Sequence, residues 1–449
     1  MYKPKKIVII GGNAAGPAAA AKAKRVNPEA EVVLYEAGEF ISTGTCELPY
    51  LLSEEISDYK NIVFFSAESF KQKKGVDVFT FHKVESINRR AKTISVTNLK
   101  KSETFETSYD TLILATGSKA NQIPEISDSE NSFTYKSVGD YIKIKNYIDS
   151  EEVENITVFG AGYIGLEVAE ALSRKGYDVK VIDKNPLPLA GTEPEVQNLV
   201  LKLLTQNNVE FICSETLPKF FVKNNKIERI KTSEKLFDVD MVIVCTGVKP
   251  ETQLAVECGL ATGAAGAIKV DKKLRTADQF IYAAGDNCEI VNLVTNKPDY
   301  LPQATVARMQ GHTAGENAAG GNSYFRAVTN NVILKLFDHI FVEVGLTAEK
   351  ANELRYNYKE VSTVMPNKVK VMPDAGSVFG KIVFDRYSKN IFGASFFGKG
   401  EISGYGNIIS LMIKNKIKVD TLADTDFNYT PAVSPFLNIL NILGKKTSE

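Results

Sequence analysis

Four consecutive β-branched residues, 7–10, run directly into Gly11-Gly12-Asn13-Ala14-Ala15-Gly16. A short unbroken apolar run that ends in glycine reads as a buried strand, and the alanine-rich stretch 18–24 behind it reads as a helix. Residues 31–36 form the next strand, which completes a βαβ unit. The same order recurs later: strand 156–159, the tight turn Gly160-Ala161-Gly162-Tyr163-Ile164-Gly165, helix 166–174 and strand 179–183.

Between the two units an alternating β pattern fills 76–96, and strand 111–114 leads into Ala115-Thr116-Gly117. The second unit closes alike, with strand 241–244 leading into Cys245-Thr246-Gly247. Strand 280–283 then meets Ala284-Gly285-Asp286, and a long helix over 302–319 returns to the first unit. From about Asn322 the pattern becomes β-rich (332–337, 381–384, 391–397) with helices over 402–414 and 435–443. These elements predict an α/β protein with two Rossmann-like dinucleotide-binding domains and a C-terminal α+β domain, which the family resemblance described below makes a dimerisation domain. The first of these domains is expected over 1–118 with 249–322, the second over 119–248, and the C-terminal domain over 323–449.

A chain of 449 residues has room for two to four domains with developed cores. Its 54 basic and 54 acidic residues leave no net charge and hence no general pull toward nucleic acid or acidic membrane. No stretch reaches the roughly 18 apolar residues of a membrane span, and the N-terminal apolar run is too short for a signal peptide. Five cysteines without a CxxC pair are too few for a disulfide scaffold, so a reducing, cytoplasmic setting is expected. No metal-ligand set stands out.

The spacing Gly160, Gly162, Gly165 satisfies G-x-G-x-x-G between a strand and a helix, and Asp183 ends the following strand, where a carboxylate accepts adenosine ribose hydroxyls. The glycines permit a tight turn and close approach of a pyrophosphate to the helix N-terminus. Asp183 would repel a 2'-phosphate, so NADH is expected over NADPH, with Lys184 softening the preference. In the first unit Asn13 takes the second glycine position, while Gly11, Gly16 and the ribose candidate Glu36 keep theirs. A chain with two such folds commonly holds a flavin in one and a nicotinamide in the other. The candidate cofactor contacts are then Gly11, Gly12, Ala15, Gly16, Glu36, Ser42, Thr43, Val84, Ala115, Thr116, Gly117, Gly285, Asp286 and Ala304 for FAD. For NADH they are Gly160, Gly162, Ile164, Gly165, Asp183 and Gly247.

Cys46 lies in Ser42-Thr43-Gly44-Thr45-Cys46-Glu47-Leu48-Pro49-Tyr50. Small polar residues lead into an expected helix start, with Pro49 tolerated in the first turn, so the thiol pKa is expected to fall there. Glu47 acts in the opposite direction. Cys213, Cys245, Cys258 and Cys288 lie in or beside apolar segments and read as inert thiols.

Taken together, the glycine turns, Cys46 with Leu48-Pro49-Tyr50, Ala115-Thr116-Gly117, Gly160 to Glu167, Thr246-Gly247, Gly285-Asp286 and Tyr429-Thr430-Pro431 resemble the flavin-dependent pyridine nucleotide-disulfide oxidoreductases. The likeness spans essentially the whole chain. It is greatest to the single-cysteine branch that contains coenzyme A disulfide reductase, NADH oxidase, NADH peroxidase and persulfide reductases. The resemblance implies FAD and NADH as cofactors, Tyr163 as a gating tyrosine, and Glu167 near the flavin. It also implies a homodimer in which Tyr429 of one subunit serves Cys46 of the other. Without a second cysteine nearby, Cys46 would cycle through a mixed disulfide, persulfide or sulfenic acid. The branch's peroxidases and oxidases carry a histidine where this chain has Ala14, which favours reduction of coenzyme A disulfide, a persulfide or polysulfide. Thr43, Thr45 and Glu47 depart from the branch's usual Phe, Asn and Gly. An NADH oxidase and a nucleotide-gated redox-sensing flavoprotein are the alternatives.

Overall fold

A computed structural model describes residues 5–214 and 216–448. Strands Lys6–Ile10 and Glu31–Tyr35 flank helix Ala15–Val26, and they join Thr111–Leu114, Asp77–Phe79 and Ile281–Ala283 in a five-stranded parallel sheet. Its order puts Lys6–Ile10 in the middle, between Thr111–Leu114 and Glu31–Tyr35. Isoleucines 7 and 9 and Val8 are fully buried, as an unbroken apolar run requires when helices or strands cover both faces. The second sheet repeats the plan. Strand Asn155–Phe159 lies between Met241–Val244 and Asp178–Asp183, with Ser132–Thr134 and Glu210–Cys213 at the edges, all parallel. In each sheet the chain leaves the central strand in opposite directions, which opens a crevice at the strands' carboxyl ends.

Between these sheets the chain crosses twice, and the crossings pair: Ser118–Ala120 runs antiparallel to Val248–Pro250. The alternating stretch expected over 76–96 divides, because only Asp77–Phe79 joins the parallel sheet. The rest, His82–Asn88 and Thr93–Asn98, pairs with Glu103–Ser108 in a separate antiparallel sheet. Helix Ala304–Ala318 packs on Ala15–Val26 through small residues. A Cβ on Gly311 or Gly315 would lie 2.3 Å or 2.2 Å from the carbonyl oxygens of Ala15 and Ala19.

An antiparallel five-stranded sheet, Asn331–Leu336, His339–Gly345, Ile391–Lys399, Ser377–Asp385 and Tyr358–Pro366, forms the C-terminal part with helix Ser403–Asn415. The final helix begins at Ile439, later than the pattern suggests, because the Asn438 side chain accepts a hydrogen bond from Leu440 N and caps it there. No helix among the described residues is long and apolar enough to cross a membrane.

A buried charge cluster ties this sheet to the second parallel-sheet unit. Lys381, 4% exposed, pairs with Glu193 at 2.8 Å and with Glu195 and Glu360 at 3.3 Å each. Glu193 also accepts the Ala348 amide at 2.7 Å. Nearby Glu343, hydrogen-bonded by Ser395 Oγ at 3.3 Å, is pushed up to about 8, first by burial and then by Glu193. A carboxyl whose pKa is raised by folding leaves stability intact below its unfolded value, and that stability is lost as pH rises through the folded value. Between about pH 5 and pH 9 the protein should therefore lose on the order of 3 kcal/mol through Glu343. Glu343→Gln should flatten that decline in a thermal melt series; a variant curve parallel to the parent's would show that Glu343 does not titrate in this range.

Candidate functional site

Both glycine turns are built alike. Gly11 and Gly160 have φ of 109° and 101°, a left-handed region that disfavours side chains. A Cβ would lie 2.1 Å from Ala115 O at Gly11, and 2.5 Å from Cys245 O at Gly160. At the third glycines the approach is closer: Gly16 and Gly165 would place a Cβ 1.8 Å and 1.9 Å from the oxygens of Gly11 and Gly160. The two helices that follow, Ala15–Val26 and Tyr163–Arg174, have no side-chain cap at their N-termini. Their positive dipole ends are thus open to an anion, although in the first helix Gly16 N–H is donated to Asn13 O and Pro17 has none. Space is open over Gly162, where an added Cβ would meet nothing within 4 Å. Each turn fits a dinucleotide pyrophosphate.

The acids beside the turns also match. Glu36 accepts Gly12 N at 2.6 Å and Gly38 N at 2.7 Å. Asp183 accepts Ala161 N at 2.7 Å, and Asn185 through its backbone and side-chain nitrogens at 2.9 Å and 2.8 Å. These bonds aim each carboxylate at its turn. Asn13, the departure from the glycine pattern, is a structural acceptor. Its Oδ1 takes both Thr43 N and Thr43 Oγ1 at 2.9 Å, and beside it Ser42 N donates to Gly12 O at 2.8 Å. The turn and the Cys46 segment are thereby joined.

Behind them, Thr116 Oγ1 donates to Glu251 O at 2.6 Å and accepts Asn287 Nδ2 at 3.0 Å, while Gly117 and Gly247 take positive φ in the two equivalent turns. Gly285 packs against Ala15, with its N–H given to Gln310 Oε1 at 2.9 Å. Asp286 accepts Ser118 Oγ at 3.0 Å and lies 3.9 Å from Lys136 Nζ, while its carbonyl accepts Tyr300 OH at 2.9 Å. Ala304 opens its helix with Gln303 at the cap, and Val84 is buried in the core cluster with Val8, Ile10 and Tyr35. Ile164 lies in the first turn of its helix, partly exposed.

Cys46 sits in a single 3₁₀ turn, Thr45–Glu47, ahead of helix Leu48–Leu52 that has Pro49 in its first turn. The residue is exposed, yet its thiol pKa is raised, contrary to the fall expected from a helix start. Burial against packed protein is the largest cause, followed by the carboxylates of Glu47, Glu167 and Asp286; Lys136 acts against them. A 3₁₀ turn offers little dipole to offset three nearby acids. Glu47 folds back over Gly44, where an added Cβ would lie 2.5 Å from its carboxylate oxygen. Glu167 itself is pushed up to about 7, mainly by burial and then by Glu170, so it exchanges a proton near neutral pH. Burial pushes Cys245 up to about 12 and raises Cys288 and Cys258 as well, in keeping with inert thiols.

Tyr163 stacks on Phe341 of the C-terminal sheet, with ring centroids 6.2 Å apart and planes at 20°. Tyr429 lies on the C-terminal surface, 47% exposed, edge-on to Phe436. Sequence reasoning missed Lys136, Tyr135, Asn185 and Gln310. The Ser137–Asp140 capping box marks a helix start, but nothing in it says where the preceding lysine points.

A family model described as pyridine nucleotide-disulphide oxidoreductase matches residues 5–311, and that family's dimerisation domain matches 335–438. A NADH oxidase of Methanocaldococcus jannaschii is 31% identical over 431 residues, 96% of this chain and 95% of that protein. A coenzyme A disulfide reductase of Staphylococcus aureus is 28% identical over 443 residues, covering 98% and 99%. The solved structure of a NAD-dependent persulfide reductase from A. fulgidus superposes with a TM-score of 0.94 at 32% identity, over 99% of this chain and 83% of that one.

Proposed function

The chain belongs to the pyridine nucleotide-disulphide oxidoreductases, and from that premise we propose that it oxidises NADH and reduces a small disulfide, persulfide or polysulfide at Cys46, with FAD as its bound cofactor. One observation carries the reading: an exposed thiol in a turn whose preceding strand is tied through Thr43 to Asn13 of the first dinucleotide turn. Bound FAD supplies the two-electron link between nicotinamide and sulfur. Gly11, Gly12, Ala15, Gly16 and Glu36 would hold its adenosine pyrophosphate, and Asp286 its ribityl region. Gly160, Gly162, Gly165 and Asp183 would hold NADH, with Tyr163 covering the nicotinamide pocket.

Cys46 works without a partner cysteine. Its thiolate attacks a substrate sulfur, the S–S bond breaks, and the departing thiolate leaves a mixed disulfide or persulfide on Cys46; two electrons originating from NADH, with a proton, then break that new S–S bond, restoring the Cys46 thiolate and releasing the second thiol, or hydrosulfide where a persulfide had formed. Coenzyme A disulfide, the substrate named for the Staphylococcus aureus relative, leads the candidates. A NADH oxidase is the second reading, favoured by the Methanocaldococcus jannaschii relative. An anaerobic acceptor screen separates them: turnover with coenzyme A disulfide, coenzyme A persulfide or polysulfide supports the sulfur reading, while turnover with oxygen or peroxide alone supports the oxidase.

The C-terminal surface around Tyr429 exposes Val433, Phe436 and Leu437, at 70%, 77% and 44%. An apolar patch of this kind on a dimerisation domain supports a homodimer in which Tyr429 reaches the partner's site. Asp183, held by Ala161 and Asn185, supports NADH over NADPH by about tenfold or more in kcat/KM. Asp183→Ser should narrow the ratio by raising KM for NADH. An unchanged ratio in the variant would place coenzyme discrimination elsewhere.

A further inference from the structure

Resting on the reading that the turn Gly160 to Gly165 takes NADH, we propose that Lys381 of the C-terminal sheet is a positioning residue for that turn. It acts through Glu193 and the segment 184–193, which runs from the ribose acid Asp183 to the start of helix Pro194–Gln206. A chain of short contacts joins the two ends. Ala161, inside the turn, donates its N–H to Asp183 Oδ2 at 2.7 Å and accepts Leu189 N on its carbonyl at 2.9 Å. Leu189 O in turn accepts Thr192 Oγ1 at 2.9 Å, Thr192 N at 3.1 Å and Gln197 Nε2 at 3.2 Å. Glu193 follows directly, 1% exposed, with one carboxylate oxygen on Ala348 N and the other 2.8 Å from Lys381 Nζ.

The segment does not hold this shape unaided. Leu189 is buried with φ of 53°, a left-handed conformation that strains a residue with a side chain and persists only where its surroundings over-determine it. Gly191 then takes φ of 89°, a position where the backbone is free to rearrange. An anchor outside the segment is needed, and the sheet supplies it. Lys381, Ser395 and Glu343 stand opposite one another across three strands, beside the row Phe379, Phe397 and Phe341, so all six share one face. Phe341 in that face stacks on Tyr163, the residue after Gly162. An apolar row can slide against its neighbour at little cost, whereas a buried ammonium shared by Glu193, Glu195 and Glu360 has one seating. The ions therefore fix register more than they add stability, and through Leu189 that register reaches the carbonyl of Ala161.

The test uses the FAD-loaded enzyme and two readouts that need no turnover: calorimetric titration with tetrahydro-NAD, an analogue that cannot give up a hydride, and amide hydrogen exchange at Leu189. Lys381→Met combined with Glu193→Gln removes the ion pair yet keeps an acceptor for Ala348 N. Flavin content and melting temperature should stay near the parent's, because replacing a buried pair whole costs little. The Kd for the analogue should rise roughly fivefold to tenfold as the competent seating loses population, and Leu189 should exchange about tenfold faster. Strand Asn155–Phe159 should stay as protected as in the parent. Glu193→Gln alone, which leaves Lys381 with Glu195 and Glu360, should move both readouts the same way by roughly twofold and serves if the double variant does not fold. A Kd or a Leu189 exchange rate equal to the parent's overturns the proposal. So does exchange that quickens equally in Asn155–Phe159, which marks general loosening. A parent that binds no analogue sinks the NADH reading, and Leu189 exchange then decides by itself whether Lys381 holds the turn.

Discussion

Cys46→Ser should retain FAD and NADH binding and lose reduction of disulfide, persulfide and polysulfide by on the order of 10³-fold or more, because a hydroxyl neither exchanges with sulfur nor carries the electron pair. Slow oxidation of NADH by oxygen should persist. The substitution is nearly isosteric in an exposed 3₁₀ turn, so the Asn13–Thr43 bonds and the helix from Leu48 stay in place. Anaerobic turnover with each sulfur acceptor, set beside aerobic NADH consumption, gives the comparison. If the serine variant reduces coenzyme A disulfide, persulfide and polysulfide as fast as the parent, the sulfur chemistry assigned to Cys46 is wrong and the oxidase reading replaces it.

The second large effect concerns the third glycine of each turn. Gly16→Ala forces a Cβ to within 1.8 Å of Gly11 O, and Gly165→Ala to within 1.9 Å of Gly160 O, inside helices that cannot rotate the residue away. Overpacking of this kind costs about 1–3 kcal/mol or more and moves the turn off its ligand. The two variants should fail differently. Gly16→Ala is expected to purify with little flavin, whereas Gly165→Ala should be yellow, with one FAD per chain, yet bind NADH about tenfold or more weakly. Flavin absorbance per chain and NADH titration distinguish them. A flavin-replete Gly16→Ala protein would mean that the first turn is not the FAD site, and a colourless parent that cannot be reconstituted would remove the flavoprotein reading altogether.

Some of this was legible before any coordinates. Strands over 111–114 and 241–244 appear with unchanged limits as Thr111–Leu114 and Met241–Val244, because a short apolar run between polar residues has one way to be buried on both faces. The glycine turns were legible for a similar reason: a strand that must reverse into a helix within a few residues imposes steric demands on particular positions, and only glycine meets them. Asp183 and Glu36 follow from the same geometry, since Asp183 ends, and Glu36 directly follows, the strand adjacent to its turn.

What tertiary structure decided is the chemistry around the thiol. A helix start after Thr45 argued for a lowered pKa, and that local argument lost to burial and to Glu47, Glu167 and Asp286, of which only Glu47 is near Cys46 in the chain. Asn13 read as a defect in a motif and is instead the acceptor that ties Thr43 to the turn. Lys136 was one lysine among many until the fold set its ammonium 3.9 Å from Asp286. Backbone sterics are decided within a few residues and leave a mark in the order of amino acids. Electrostatics at a point sums over whatever the fold brings near, from stretches that share no spacing, so the ionisation of Cys46 belongs to the assembled molecule.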